Sequence, residues 1–285
     1  MEFTQVRPGI FLLVAQPESV NVGLVVGQDR AWLIDSGSSP AQGERIRAAA
    51  AAVCDRPLAG VVLTHGHWDH SFGLAAFADL ETVGQQDCET ARHGAEAEAA
   101  ARALGLDLDR LPGPSHTISL IGLRDLGGGV VLELAHFGPA HTQGDLVVAL
   151  PGADVFFVGD LIETAGAPQF DPESSLDGWV KSLDSLWGAL RPNSLVVPGH
   201  GPVAEPWQVG HQRAGLAALW DQTEWAYHQG VPLDQIYDHA QLEWPWDRRT
   251  AERGIALAQA ELRARGPRRA PLPLIESRRL SHPRP

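Results

Sequence analysis

The chain has few cysteines, no long apolar segment and a deficit of positive charge. Its two cysteines among 285 residues, Cys54 and Cys88, lack the paired spacing of a zinc finger or a disulfide framework. We therefore expect two buried thiols in a reducing compartment. No apolar run approaches the ~18 residues of a membrane-spanning helix, and the N-terminal sequence lacks a basic region followed by an apolar one. These absences predict a cytoplasmic protein that does not contact a membrane.

The charge balance excludes a further class of partner. The formal net charge is −13 at pH 7. Such a surface repels phosphate backbones, so we expect no nucleic-acid partner, although a local basic pocket is compatible with it. With 44% hydrophobic and 20% charged residues, the composition is that of a globular protein with ample material for a core.

Strand and helix patterns alternate over the first 205 residues. The runs AWLID (31–35) and AGVVLTH (59–65) are typical of strands buried in a layered sheet. Ser39 and Pro40 indicate the start of a helix. Further helices are predicted near 71–78 and over 86–104. The runs TISLIG, VVLELAHF, DLVVALP, DVFFVGD and SLVVPGHG predict further strands.

An amphipathic helix is predicted to begin at Ser174 or Ser175. Its apolar stripe contains Leu176, Val180, Leu183, Trp187 and Leu190. These five side chains, one or two turns apart, are expected to face the core.

The C-terminal part of the chain is predicted to be helical. Helices are expected over 206–228, near 232–241 and over 247–265. We therefore divide the chain into a domain of alternating strands and helices (1–205), a helical extension (206–265) and a flexible tail rich in proline and arginine (266–285). The apolar surface of the extension would suit a homodimer. Its aromatic residues are expected to pack the extension rather than bind a ligand, namely Trp220, Trp225, Tyr227, Trp244 and Trp246.

Two halves of the chain share one pattern. In each, a strand ends in an aspartate, a helix follows, and a second strand ends in a histidine: Asp35 and His65 in the first half, Asp160 and His200 in the second. Two such β-α-β units suggest two sheets packed face to face, with helices outside. Strand ends on one rim of such a fold are where functional groups collect.

The segment HGHWDH places His65, His67, Asp69 and His70 within six residues directly after a predicted strand. Burying them without a cation would leave many hydrogen-bonding groups to satisfy. Imidazole and carboxylate are ligands that suit zinc, iron or manganese. The cluster therefore predicts a metal site.

Three further candidate ligands stand at predicted strand ends. His141 lies in GPAHTQGD, Asp160 ends VFFVGD, and His200 ends VVPGH. Each of them is weak evidence alone. Together with HGHWDH they supply enough ligands for two metals with open positions for water and substrate.

The order of these residues resembles that of the metallo-β-lactamase superfamily of metallohydrolases, over roughly residues 5–203. The resemblance implies an α/β fold, an αββα sandwich of two mixed sheets flanked by helices, here with a C-terminal helical extension. It implies two divalent metal ions, with zinc expected and iron or manganese as alternatives. The first metal would be held by His65, His67 and His141, the second by Asp69, His70 and His200, and both by Asp160 as the bridge. Asp35, in LIDSG, matches a position that supports the ligands without contacting metal.

The implied activity is hydrolysis of a small-molecule ester, thioester or lactone by a hydroxide formed at the metals. Asp69 is expected to orient this nucleophile, and Asp160 to bridge the metals. True β-lactamases often lack the bridging aspartate, so β-lactamase-like amide hydrolysis ranks below ester hydrolysis. The stretch GPAHTQGDLVV resembles broad-specificity and quinoprotein-associated members more than glyoxalase II, because Asp145 follows T-x-G where glyoxalase II commonly has histidine.

Two other functions stay open at this point. A mononuclear iron persulfide dioxygenase would use His65, His67 and His141, with or without Asp160. A non-catalytic binding module would keep the metals for stability alone.

Substrate contacts are expected from loops around the metal site. The segment LIETAGAPQFDPESS, with Phe170, is either a cavity wall or an ordinary connection, and the insert 86–116 is a candidate lid. The positive charge of two dications would exceed the negative charge of Asp69 and Asp160. We therefore expect a net positive site that attracts anionic or carbonyl-bearing substrates. We assign no role to His116 and His136.

Overall fold

The computed structural model describes residues 1–241 and 243–266, so the predicted tail beyond Gly266 lies outside the described residues. The first sheet is antiparallel over its first four strands and parallel from the fourth onward. Its strands lie side by side in chain order: β1 (Thr4–Arg7), β2 (Ile10–Ala15), β3 (Val20–Val26), β4 (Ala31–Ile34), β5 (Leu58–Val62), β6 (Glu81–Gln85) and β7 (His116–Ile118).

The second sheet has the order β12-β11-β10-β9-β8, and its pairs are antiparallel except for β11 with β12. Its strands are β8 (Ile121–Asp125), β9 (Val131–Ala135), β10 (Val147–Leu150), β11 (Val155–Gly159) and β12 (Leu195–Pro198). Buried residues of both sheets, such as Val25 and Phe157, share one apolar cluster. Gly23 allows close contact, because a Cβ atom there would lie 2.4 Å from the Phe157 ring.

Helices cover the outer face of each sheet. On the first sheet, α1 (Pro40–Val53) packs through Ile46 and Ala50, and Ser39 caps it by accepting the N–H of Gln42. On the second sheet, α5 (Leu176–Ala189), α6 (Pro206–His228) and α7 (Arg248–Arg265) share a large apolar cluster with β11 and β12. This arrangement confirms the predicted αββα sandwich. In the described residues, no helix combines the length and apolar character needed to cross a bilayer.

Several predicted elements have different boundaries. The helix expected over 86–104 is broken at Gly94, whose extended backbone separates α3 (Glu89–Arg92) from α4 (Ala95–Leu104). The region near 71–78 is a short helix, α2 (Trp68–Ser71), followed by a 3-10 helix. The helix expected near 232–241 is two 3-10 turns. TISLIG is divided between β7 and β8, so the chain crosses there from one sheet to the other.

Three side chains expected to be buried are not. Trp187 is 47% exposed, because it lies against Gly210 at the edge of the α5–α6 contact rather than beneath it. Trp225 is 43% exposed on the outer face of α6. Cys54, at the end of α1, is only partly buried, whereas Cys88 is fully buried.

Candidate metal centre

The structure brings together all seven side chains proposed as ligands. Their donor atoms form two clusters, each with atoms within 4.8 Å of one another. We call His65, His67, His141 and Asp160 the first ligand group, and Asp69, His70 and His200 the second ligand group. They come from four separate segments, which follow β5, β9, β11 and β12, so the two sheets together assemble the site.

In the first ligand group, three imidazole nitrogens face one point. Nδ1 of His67 lies 3.1 Å from Nε2 of His65 and 2.9 Å from Nε2 of His141. Two nitrogens bonded to one tetrahedral zinc at 2.0–2.1 Å would be separated by roughly 3.3 Å. The three side chains therefore have the spacing of ligands to a single ion.

The second ligand group has a similar spacing. Nε2 of His200 lies 3.2 Å from Nε2 of His70 and 3.1 Å from Oδ2 of Asp69. Nε2 of His70 lies 3.8 Å from the same Asp69 oxygen. One carboxylate and two imidazoles thus converge on a second point.

Asp160 lies between the two groups. Its Oδ2 is 3.8 Å from Nε2 of His65, 3.6 Å from that of His141 and 3.7 Å from that of His200. Its Oδ1 is 3.5 Å from Nε2 of His70. This carboxylate is therefore within reach of ions held by either group.

A cation fits this arrangement on chemical grounds. Oδ1 of Asp160 is buried, and no hydrogen-bond donor among the described residues reaches it. An unpaired buried carboxylate oxygen is costly unless a positive charge compensates it. The facing imidazole nitrogens can share at most one proton per pair, whereas a metal ion would accept a lone pair from each of them.

Each ligand histidine uses its other ring nitrogen to contact the protein. Such contacts fix the tautomer and orientation of a metal-binding imidazole. Carboxylates serve His70, whose Nδ1 is 2.9 Å from Asp35, and His67, whose Nε2 is 3.2 Å from Glu173. The partners of His65, His141 and His200 are Oγ1 of Thr64, the carbonyl oxygen of Gln169 and the carbonyl oxygen of Glu18.

Asp35 supports the first histidine loop as well as His70. Its Oδ1 accepts the backbone N–H of Thr64 at 2.7 Å, and its carboxylate also accepts the Thr64 hydroxyl. Asp35 itself adopts a left-handed backbone with φ of 65°, which costs energy for a residue with a side chain. This strain is consistent with a position set by the site rather than by local preference.

Burial and mutual charge divide the histidines into two kinds. Burial, with the neighbouring imidazoles, lowers the pKa of His65 and His141 well below 6.5, so both are neutral and ready to bind metal. Burial also disfavours the charged forms of His67 and His70, but nearby carboxylates outweigh it. Their pKa values are raised to about 9 and about 10, the former chiefly by Glu173 and the latter chiefly by Asp69. Metal binding must therefore displace protons from His67 and His70.

The carboxylates have opposite shifts. Burial raises the pKa of Asp160, because it lies between the two groups without a donor. Burial also opposes ionisation of Asp69, but His70 and His200 lower its pKa well below the usual value.

The His141 loop is closed by Asp145. The carboxylate of Asp145 accepts the backbone N–H of Thr142 and, at 2.8 Å, its hydroxyl. This explains an aspartate after T-x-G without involving metal. Of the two histidines without an assigned role, His136 bonds to the backbone of Asp145 and His116 lies exposed near Glu81.

A cavity of about 840 Å³ opens above the ligands. Ala95 and Glu96, from the predicted lid, contribute to its wall. Phe170 instead packs beneath, against Trp179 and Trp246, so the proposed apolar contact is wrong, although its neighbour Asp171 lines the cavity.

The cavity lining is more acidic than the ligand set alone. Besides the ligands, it contains four carboxylates, those of Glu18, Glu96, Glu163 and Asp171. Arg253, from α7, is the one lysine or arginine lining it among the described residues. Two dications, less the charges of Asp69 and Asp160, would leave a centre of +2, which the lining more than offsets.

Sequence reasoning missed the outer contacts of the ligand histidines. Gln169 and Glu18 act through backbone carbonyls, which carry no sequence signal. Glu173 lies far along the chain from His67, and nothing in DPESS distinguishes it from an ordinary loop residue.

Known proteins share both the sequence pattern and the fold. The family model of the metallo-beta-lactamase superfamily matches residues 15–200. A hydroxyacylglutathione hydrolase of Ruegeria pomeroyi is 35% identical over 142 residues, 49% of this chain and 47% of the relative. A type 2 metallo-beta-lactamase of Bacillus sp. is 25% identical over 51% of this chain and 52% of the relative. The chain thus spans about half the length of these two curated relatives.

Solved structures show the same sandwich. A metallo-beta-lactamase of Pontibacter korlensis superposes with a TM-score of 0.61 at 21% identity, over 76% of this chain and 98% of the other. A metallo-beta-lactamase of Erythrobacter litoralis gives 0.59 at 23% identity, over 75% and 95%. At these identities the likeness shows the fold alone. Because the family model covers well over half of the chain, the chain belongs to the metallo-β-lactamase superfamily.

Proposed function

We propose that this protein is a dinuclear zinc hydrolase that cleaves an ester, thioester or lactone bond of a small molecule. The observation that carries the proposal is the position of Asp160, whose buried carboxylate lies within 3.8 Å of histidines of both ligand groups. A single ion in the first group would leave Asp69, His70 and His200 clustered without a cation. Two ions would be coordinated by all seven side chains of the two ligand groups.

Zinc pairs, when bound, lower the pKa of water and polarise a carbonyl oxygen. The protein residues place these ions and the substrate. Asp160 joins the two groups, and Asp69, at the cavity surface, is placed to accept a hydrogen bond from the attacking water. The cavity leaves one side of the centre open, as hydrolysis requires.

The choice of bond rests on the relatives and on Asp160. The hydroxyacylglutathione hydrolase relative supports a thioester, whereas the metallo-beta-lactamase relatives support an amide. The bridging aspartate, which true β-lactamases often lack, favours the ester and thioester side. The acidic lining disfavours substrates with several anionic groups near the scissile bond.

Metal analysis and a substrate panel test the proposal. We expect about two zinc equivalents per chain after growth with zinc, and turnover of thioesters, aryl esters or lactones at a higher kcat/KM than of β-lactams. Asp160→Asn should abolish turnover, and His116→Ala, an exposed change outside the site, should leave it intact.

Two outcomes would overturn the proposal. One is a purified protein that holds no metal, or one equivalent at most. The other is iron in place of zinc, with oxygen uptake on a persulfide and no hydrolysis, which would establish the dioxygenase instead.

A further inference from the structure

His67 directs its two ring nitrogens to different surroundings. Nδ1 faces the other nitrogens of the first ligand group, 2.9 Å from His141 and 3.1 Å from His65. Nε2 points away from them and lies 3.2 Å from Oε1 of Glu173. For Nδ1 to bind a metal, the proton of a neutral His67 must be on Nε2, where the Glu173 carboxylate can accept it.

Each ligand group contains one histidine whose outer ring nitrogen contacts a carboxylate. In the second ligand group, Asp35 accepts from Nδ1 of His70 at 2.9 Å and leaves Nε2 free for metal. In the first ligand group, Glu173 has the corresponding position on His67. The other ligand histidines contact a hydroxyl or backbone carbonyls, so each group has one carboxylate-supported imidazole.

Glu173 is fixed to the loop of another ligand. Its backbone carbonyl accepts the side-chain N–H of Gln143, two residues beyond His141. The hydroxyl of Ser174 donates to the carbonyl of His141 at 2.6 Å, and the N–H of Ser175 donates to Ala140 at 2.8 Å. The carboxylate therefore has a defined position relative to both His67 and His141.

Two other carboxylates approach His67 less closely. Oδ2 of Asp171 is 3.7 Å from the same nitrogen, beyond hydrogen-bond distance, and Glu96 belongs to the same loose cluster. Both line the open cavity, whereas Glu173 does not. Of these three carboxylates, Glu173 therefore hydrogen-bonds to His67, whereas Asp171 and Glu96 contribute charge alone.

We propose that Glu173 is a positioning residue for the first metal: it accepts the Nε2 proton of His67 and keeps Nδ1 directed, unprotonated, at the ion. This inference rests on the metal centre of the proposed function. It assigns Glu173 to the first ligand group as Asp35 is assigned to the second. Loss of Glu173 should weaken one metal selectively.

The test measures metal retention rather than turnover. Zinc-loaded wild type, Glu173→Gln, Glu173→Ala and Asp171→Asn are dialysed against a graded series of chelator, and the retained zinc is measured by mass spectrometry. Removal of such a supporting contact typically lowers metal affinity by about 10–100-fold. We expect Glu173→Ala to lose one equivalent at correspondingly lower chelator, Glu173→Gln, which retains an acceptor oxygen, to lie between, and Asp171→Asn to stay within about threefold of wild type.

Cobalt-substituted protein gives a second readout. The visible absorption of Glu173→Ala should change for one of the two cobalt ions, with metal-free melting temperatures matching wild type to exclude misfolding. Wild-type retention of both equivalents by Glu173→Ala would overturn the inference, as would an Asp171→Asn effect equal to that of Glu173→Ala. A wild type that binds no metal would instead refute the proposed function.

Discussion

A Cβ atom on Gly199 would lie 1.9 Å from Oδ1 of Asp160, so this carboxylate occupies the space that the side chain of any other residue at position 199 would fill. The same atom would come within 2.9 Å of the His70 ring. Two hydrogen bonds hold the backbone of Gly199 in place: its N–H donates to the carbonyl of Gly159, and its carbonyl accepts the N–H of Asn21. Glycine here is a requirement of the metal centre.

Gly199→Ala should therefore displace Asp160 and lose at least one metal equivalent. Gly188→Ala is the matched control, since no atom of the residues that the structure describes lies within 4 Å of a Cβ at this position in α5. Gly188 lies in the last turn of α5, so that change should stabilise the fold by less than the about 0.5–1 kcal/mol expected in a helix interior. Metal content and melting temperature of the two variants test the prediction. Full zinc occupancy in Gly199→Ala would contradict it.

Asp35→Asn should weaken the second ligand group. Asparagine nearly preserves the size of Asp35 but removes the charge that supports His70 and part of the acceptor set for Thr64. Retention of the second metal should fall by about 10–100-fold. Chelator titration measures the loss, and Asp79→Asn, which alters an exposed carboxylate paired with Arg47, serves as the control. Equal retention by the two variants would argue against a supporting role for Asp35.

The buried carboxylate of Asp145 should make stability depend on pH. Burial raises its pKa to about 7, against about 3.9 in an unfolded chain. Because the folded state binds this proton more tightly, the contribution of Asp145 is greatest below about pH 4 and declines as pH rises to about 7. The asparagine of Asp145→Asn cannot ionise. The free energy of unfolding of this variant should therefore rise relative to that of wild type between about pH 4 and about pH 7, by at most a few kcal/mol.

Urea unfolding of wild type and Asp145→Asn at pH 5, 6, 7 and 8 measures this difference. The metal ligands are identical in both proteins, so their own pH dependence largely cancels. A difference that is constant across the series would show that Asp145 is ionised throughout.

The charges lining the cavity should set the preference between neutral and anionic substrates. Removing a negative charge by Glu96→Gln or Asp171→Asn should lower KM for an anionic ester, and removing the positive charge by Arg253→Gln should raise it. Each change should be about two- to fivefold, as for partly exposed charges. An uncharged ester of the same acyl group should show little change.

Arg249→Gln is the control for Arg253, because Arg249 is on the same helix but does not line the cavity. The measurement is KM for the paired esters at two salt concentrations, since screening should reduce the effect. Equal shifts for the charged and the neutral ester would show that the changes alter cavity shape instead of charge.

The metal ligands could be predicted from the sequence, whereas most of the groups that hydrogen-bond to those ligands could not. HGHWDH is contiguous, and His141, Asp160 and His200 follow recognisable strands, so residue type and order were enough to nominate them. Glu173 and Gln169 support ligands through contacts that join distant loops, and one of them uses only its backbone. Phe170 was nominated as a cavity contact because it is apolar, but apolar side chains in a loop can turn inward, and this one packs on Trp179.

Local sequence by itself determined the periodic features of this protein. Buried strands have continuous apolar runs, Ser39 caps α1 and Pro40 is its first residue, and the histidine cluster predicts a metal site. The tertiary structure decided how the strands divide between two sheets, where Gly94 interrupts a helix, and which carboxylate reaches each imidazole. The physical reason is range: propensity and capping act within a few residues, whereas the charge and geometry at the metal centre depend on loops that only the packing of the two sheets brings together.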